Sequence, residues 1–203
     1  MSEAELRQRW GADYDKYHAM IKAAVDGSAG EYLSYEGQPV LAAFHSSSAG
    51  ATENSGQIWN PTPYLVSVSS PETEENLPQL TSQVRVAALD LRDAILSACP
   101  EADMSGAPHT WLGRRSESAA GRVDSLEIGG ISVPGTRLRQ LFALRSTDFQ
   151  LTFDGTDFVF TVSGYGHGVG MSQYGAKLMA EGGSDYKSIL THYYPGTSLL
   201  HFS

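Results

Sequence analysis

Residues 157–176 read DFVFTVSGYGHGVGMSQYGA, and the fold turns on how that stretch is understood. In residues 157–163 the apolar Phe158, Phe160 and Val162 alternate with Val159 and Thr161, the period-two pattern of a strand with one strongly apolar face. Glycine then takes every second position from Gly164 to Gly170, a backbone free to adopt positive φ and to approach another segment closely. Tyr165 and His167 are the side chains presented between those glycines. From residue 171 onward Met171, Tyr174 and Leu178 recur at helical spacing, and Gly182-Gly183 supplies a stop. The unit is a strand, a glycine loop and a helix. It is not a nucleotide loop: the third glycine of G-x-G-x-x-G falls on Val169 or Met171, and no Gly-Lys-Ser/Thr follows. An isolated G-H-G is ordinarily a tight turn, so a functional reading needs a second loop.

Residues 45–54, HSSSAGATEN, are that second loop. They follow a predicted hairpin in which residues 32–35 form one strand, residues 36–39 the turn and residues 40–44 a second strand. The second strand, Val40-Leu41-Ala42-Ala43-Phe44, is apolar on both faces and is expected to be buried and central. Three consecutive hydroxyls, an imidazole, a carboxylate and an amide within ten residues either satisfy their own backbone or form a site.

Upstream, Ser2 caps a short helix that ends at Gly11. Tyr14, Tyr17, His18, Ile21 and Val25 then recur at helical spacing behind Asp13 as a cap, a stripe expected to be core, His18 included. Downstream, residues 83–86 read as a strand and residues 89–96 as an amphipathic helix ending near Cys99-Pro100. Residues 111–117, 122–128 and 131–134 read as strands, residues 138–142 as a short helix, and Asp154-Gly155 as the hairpin turn leading into the glycine-loop strand. A C-terminal helix capped by Ser184 carries Tyr186, Ile189, Leu190 and Tyr193 on one face. The acids Glu72, Glu74 and Glu75 read as a solvated run. Hairpins outnumber long crossovers, so the fold class is α+β with mainly antiparallel sheet.

The chain has 203 residues, is 41% hydrophobic and carries a net charge of −9. That length buries a real core, and the acidic balance without a Lys/Arg run argues against a nucleic-acid partner. The single Cys99 excludes an internal disulfide and a cysteine zinc cluster. No stretch approaches the roughly 20 apolar residues of a membrane span. His45, His167 and His192 have no metal-ligand spacing such as H-E-x-x-H, so no metal site is expected.

Residues 45–54, Trp59, Pro63-Tyr64-Leu65, Ser70-Pro71, residues 166–176 and residues 192–197 (HYYPGT) together resemble the stage II sporulation protein D family, which also includes amidase-enhancer proteins. Order and spacing fit over nearly the whole chain. The resemblance implies a peptidoglycan lytic transglycosylase that acts on glycan strands outside the cytoplasmic membrane, during forespore engulfment, without a cofactor. In that family the catalytic glutamate lies in a helical segment upstream of the region that begins here at Trp10. Residues 1–203 are therefore expected to be one N-terminally truncated domain, inactive alone. The family's zinc-holding cysteine and histidine positions also lie upstream, so no metal ligand carries over.

The chemistry makes such a loss decisive. A lytic transglycosylase protonates the glycosidic oxygen with one carboxylic acid while the sugar's own 6-hydroxyl captures the anomeric carbon. Glu53, the sole acid inside either loop, is expected to hydrogen-bond backbone or sugar rather than to catalyse. His45, Ser46, Ser47, Ser48, Glu53, Tyr165, His167, Ser172, Gln173 and Tyr174 are the expected glycan-binding residues, lining a groove between the two loops. The alternative is a non-catalytic wall-binding or amidase-activating module, partnered with other cell-wall hydrolases.

Overall fold

The computed structural model describes residues 2–202. Helix α1 (Glu3–Trp10) opens with a capping box in which Ser2 accepts from the Glu5 N–H and the Glu5 carboxylate accepts from the Ser2 N–H. Helix α2 (Tyr14–Gly27) follows a single turn of 3-10 helix, and Asp13 makes no side-chain capping bond to it. Strand β1 (Glu31–Tyr35) turns through Glu36 and Gly37, both at positive φ, into β2 (Gln38–Pro39). The first site loop begins at β3 (Phe44–His45). Strand β4 (Thr81–Ala87) runs directly into α3 (Ala88–Ala98). Strands β5 (Leu112–Glu117), β6 (Val123–Ile128) and β7 (Ile131–Pro134) lead to α4 (Gly135–Leu141). The hairpin β8 (Phe149–Phe153) and β9 (Asp157–Ser163) delivers the glycine loop, which closes on β10 (Met171–Ser172). Helices α5 (Gln173–Glu181) and α6 (Tyr186–Tyr193) and strand β11 (Ser198–His201) complete the chain.

These elements group into two compact units, Met1–Val40 with Ser198–Ser203, and Leu41–Thr197. In the first, β1 is the central strand of an antiparallel sheet ordered β11-β1-β2. Its helix α2 overturns the expectation for the N-terminal stripe. Tyr14 is buried, whereas Tyr17, Ile21 and Val25 are 38%, 52% and 62% exposed, and His18 is exposed and stacked on the Tyr14 ring. Helical spacing puts apolar residues on one face; it does not supply the layer that covers them.

The second unit holds the main core, between the antiparallel sheets β4-β9-β8 and β5-β6-β7 and helices α3 and α4. Leu91 and Ile95 of α3, Ile128 of β6, and Phe158, Phe160 and Val162 of β9 are each fully buried there. The alternation read from residues 157–163 thus faces that core, and the α+β, mainly antiparallel class is the observed one. The buried central strand expected at residues 40–44 is not formed. Only Phe44 and His45 pair, in parallel with Met171 and Ser172, and Leu41 and Phe44 are 62% and 57% exposed. An apolar run has no period with which to name a layer, and this one crosses from one unit to the next. At α6 the cap is Asp185 rather than Ser184, with its carboxylate accepting from the Ser188 N–H at 2.8 Å.

Candidate functional site

The two polar loops do more than face each other; their backbones are stitched together. Ser46 and Ser47 donate their N–H groups to Tyr165 O, Tyr165 N–H donates to Ser47 O, Glu53 N–H to Gly168 O and Tyr174 N–H to Ser46 O, all within 2.8–3.1 Å. Such contact explains the alternate glycines. Gly164, Gly166, Gly168 and Gly170 all have positive φ, and none of the four leaves room for a side chain. A Cβ on Gly170 would run into Ala43 O, and one on Gly168 into the guanidinium of Arg122.

Inside the joined loops lies a buried polar network. His45, 3% exposed, has its Nδ1 at 3.3 Å from Val169 O and its Nε2 at 2.6 Å from Ser48 Oγ. A carbonyl only accepts, so Nδ1 carries the proton and Nε2 accepts from the Ser48 hydroxyl. Burial, reinforced by the charge of Arg122, pushes the His45 pKa down to about 3, so the ring is neutral. His167, half-buried, accepts the Val169 N–H on Nδ1, and burial lowers its pKa also. The two rings lie 5.7 Å apart.

Two buried carboxylates complete the network. Glu72, read from sequence as part of a solvated run, is 2% exposed, which corrects that expectation. Its Oε1 accepts from the Ser48 N–H at 3.0 Å and from the Ser172 hydroxyl, and Ser172 also caps α5 through the Gly175 N–H. Glu74 and Glu75 remain exposed. Neighbouring Ser70 bonds Tyr193 Oη at 2.7 Å, close over Gly175, and burial raises the Tyr193 pKa to about 12. Glu53, 1% exposed, accepts from the Asn54 N–H at 2.8 Å and from the Ser118 hydroxyl. Ser70 entered the sequence reading only through the family resemblance, and Ser118, Glu72 and Arg122 carried no signal there as site residues.

The structure therefore sorts the ten expected residues. His45, Ser47, Ser48, Glu53 and Ser172 are buried and hold the loops in shape. Tyr165 and Gln173 are exposed, and Ser46, His167 and Tyr174 are partly so. Beside His167, at 4.8 Å between ring centroids, lies Trp59, 45% exposed. Tyr193 and Tyr194 are core, and His192 Nε2 donates to Ser69 O at 2.8 Å. Next to Glu53 a pocket of about 340 Å³ is lined by Gln57, Ile58, Arg122, Thr136 and Thr147 among others. Among the described residues no group of three or more His, Cys, Asp or Glu is placed to hold a metal.

No family model matches the chain. It is 34% identical over 200 residues to stage II sporulation protein D of Bacillus amyloliquefaciens and 35% identical over 199 residues to that of Bacillus subtilis (strain 168). Each alignment takes in 98% of this chain and 56% of the relative, so the chain spans little more than half the length of those proteins. The amidase enhancer of Bacillus subtilis (strain 168) is 31% identical over 235 aligned positions, covering 92% of this chain and 33% of that protein.

Proposed function

The chain belongs to the stage II sporulation protein D family, and on that premise we propose that it is the glycan-binding body of a peptidoglycan lytic transglycosylase remodelling the cell wall during sporulation. The observation that carries this reading is the exposed ring of Trp59 set against His167 at the joined loops. An aromatic face offers a large apolar surface to the C–H face of a sugar ring. Tyr165, Gln173 and the partly exposed Ser46 supply hydroxyl and amide groups for sugar hydroxyls and N-acetyl groups from the same loops. Beneath them the buried network pre-organises the surface, which lowers the ordering cost of binding. The setting is outside the cytoplasmic membrane; no described helix is long and apolar enough to cross one.

The experiment is a pull-down of the purified chain on insoluble peptidoglycan. Trp59→Ala and His167→Ala are expected to weaken binding roughly three- to tenfold, the size of an aromatic contact. Binding unchanged in both would leave the loops as scaffold. The amidase-enhancer relative favours a second reading, a module that activates a wall amidase. Stimulation of such an amidase by a chain that does not bind peptidoglycan would establish that alternative instead.

A further inference from the structure

Arg122 is 2% exposed, and neither Nη1 nor Nη2 has a hydrogen-bond partner. Arg7, Arg85, Arg92 and Arg115 are in ion pairs, whereas among the described residues Arg122 makes none. Desolvating a charge costs on the order of several kcal/mol unless hydrogen bonds and a counter-charge answer it. Burial accordingly lowers the Arg122 pKa, with Asp148 and Glu53 opposing from beyond ion-pair distance. The carboxylate of Glu53 is already engaged, one oxygen by the Asn54 N–H and the other by the Ser118 hydroxyl. Asp148 opposes it by charge alone, so both Nη atoms stay without a hydrogen bond.

The fold nevertheless goes out of its way to keep this side chain. Gly168 lies against it so closely that a Cβ there would sit 2.6 Å from both Nε and Nη2. The glycine loop is in this respect an arginine cradle. Arg122 is the one cation lining the 340 Å³ pocket, beside the acids Glu53 and Asp124 and the polar Gln57, Thr136 and Thr147, a volume at the lower end of the roughly 300–1,000 Å³ of small-molecule sites. A planar, permanently charged fork matches a carboxylate in a way no sugar hydroxyl does.

We propose that this pocket receives a carboxylate of the peptidoglycan ligand and that Arg122 is the residue that binds it. The inference rests on the glycan reading for the identity of the ligand, though not for the presence of an anion site. Two groups in peptidoglycan have the required chemistry, the lactyl acid of muramic acid and the carboxylates of the peptide stem.

The test is a calorimetric titration of the intact chain with N-acetylmuramic acid, muramoyl dipeptide, N-acetylglucosamine, chitotetraose and D-lactate. At least one of the two acids is expected to bind about tenfold more tightly than neutral N-acetylglucosamine, the difference one charge-assisted hydrogen bond makes. Preference for N-acetylmuramic acid assigns the lactyl group, and preference for the dipeptide assigns the stem; either supports the site. Arg122→Gln should abolish the difference and leave N-acetylglucosamine binding unchanged. Should that variant not fold, the methyl ester of N-acetylmuramic acid on the native chain asks the same question, and an ester bound as tightly as the acid overturns the proposal. Equal affinity for both acids and N-acetylglucosamine, with chitotetraose bound, overturns it and leaves the glycan reading standing. D-lactate bound as tightly as N-acetylmuramic acid, with chitotetraose not bound, keeps the carboxylate site and overturns the glycan reading.

Discussion

At His45 the imidazole is shut away from water with both nitrogens engaged, and its pKa of about 3 lies below the ordinary 6.5. The folded state therefore prefers the neutral ring. The stability this represents is complete above pH 6.5 and is lost as pH falls towards 3, at about 1.4 kcal/mol per unit. Asp148 works in the opposite sense, because burial pushes its carboxyl up to about 6. Its contribution is complete below the ordinary 3.8 and is lost as pH rises through 6. Between pH 6 and 4 the two oppose each other, so the native urea midpoint is expected to change little there. His45→Gln should make the midpoint rise as pH falls through that range, and Asp148→Asn should make it fall. A pH profile of His45→Gln parallel to the native one would show that another group carries the dependence.

The glycine loop shows how one element is shaped by what lies against it. Gly155, in the β8–β9 turn, has φ of 102° and nothing within 4 Å of an added Cβ, so Gly155→Ala is a matter of backbone strain. About 1 kcal/mol of lost stability is expected. Gly170 has φ of 72°, and an added Cβ there also meets Ala43 O, backbone that is held by its own bond from the Met171 N–H. For Gly170→Ala the expected loss is about 3 kcal/mol or more, strain and overpacking combined. Equilibrium urea unfolding of the two variants makes the comparison, and equal losses would mean that the two loops can part at β3–β10 without cost.

For the molecule as a whole, the Glu53 carboxylate is buried with both oxygens accepting hydrogen bonds, and under the proposed function it is a structural group rather than the acid. This chain incubated with peptidoglycan is expected to release no 1,6-anhydro-muramoyl ends detectable by mass spectrometry. Their appearance, abolished by Glu53→Gln, would make Glu53 the acid after all. The sequence by itself determined the strand, glycine loop and helix of residues 157–181, the hairpins of residues 111–134 and 149–163, the capping of α1 and the α+β class, because periodicity and turn chemistry act between residues close along the chain. It also marked both polar loops by composition. Only the tertiary structure decided that Ile21 and Val25 stay exposed while Tyr193 is fully buried, that residues 40–43 form no strand, and that Glu72 and Arg122 lie inside. A helical stripe looks the same whether or not a layer covers it, and a charged residue in a loop looks solvated until a distant segment closes over it. Burial belongs to pairs of segments far apart in sequence, and here those pairs are the two loops that meet from residues 45 and 165.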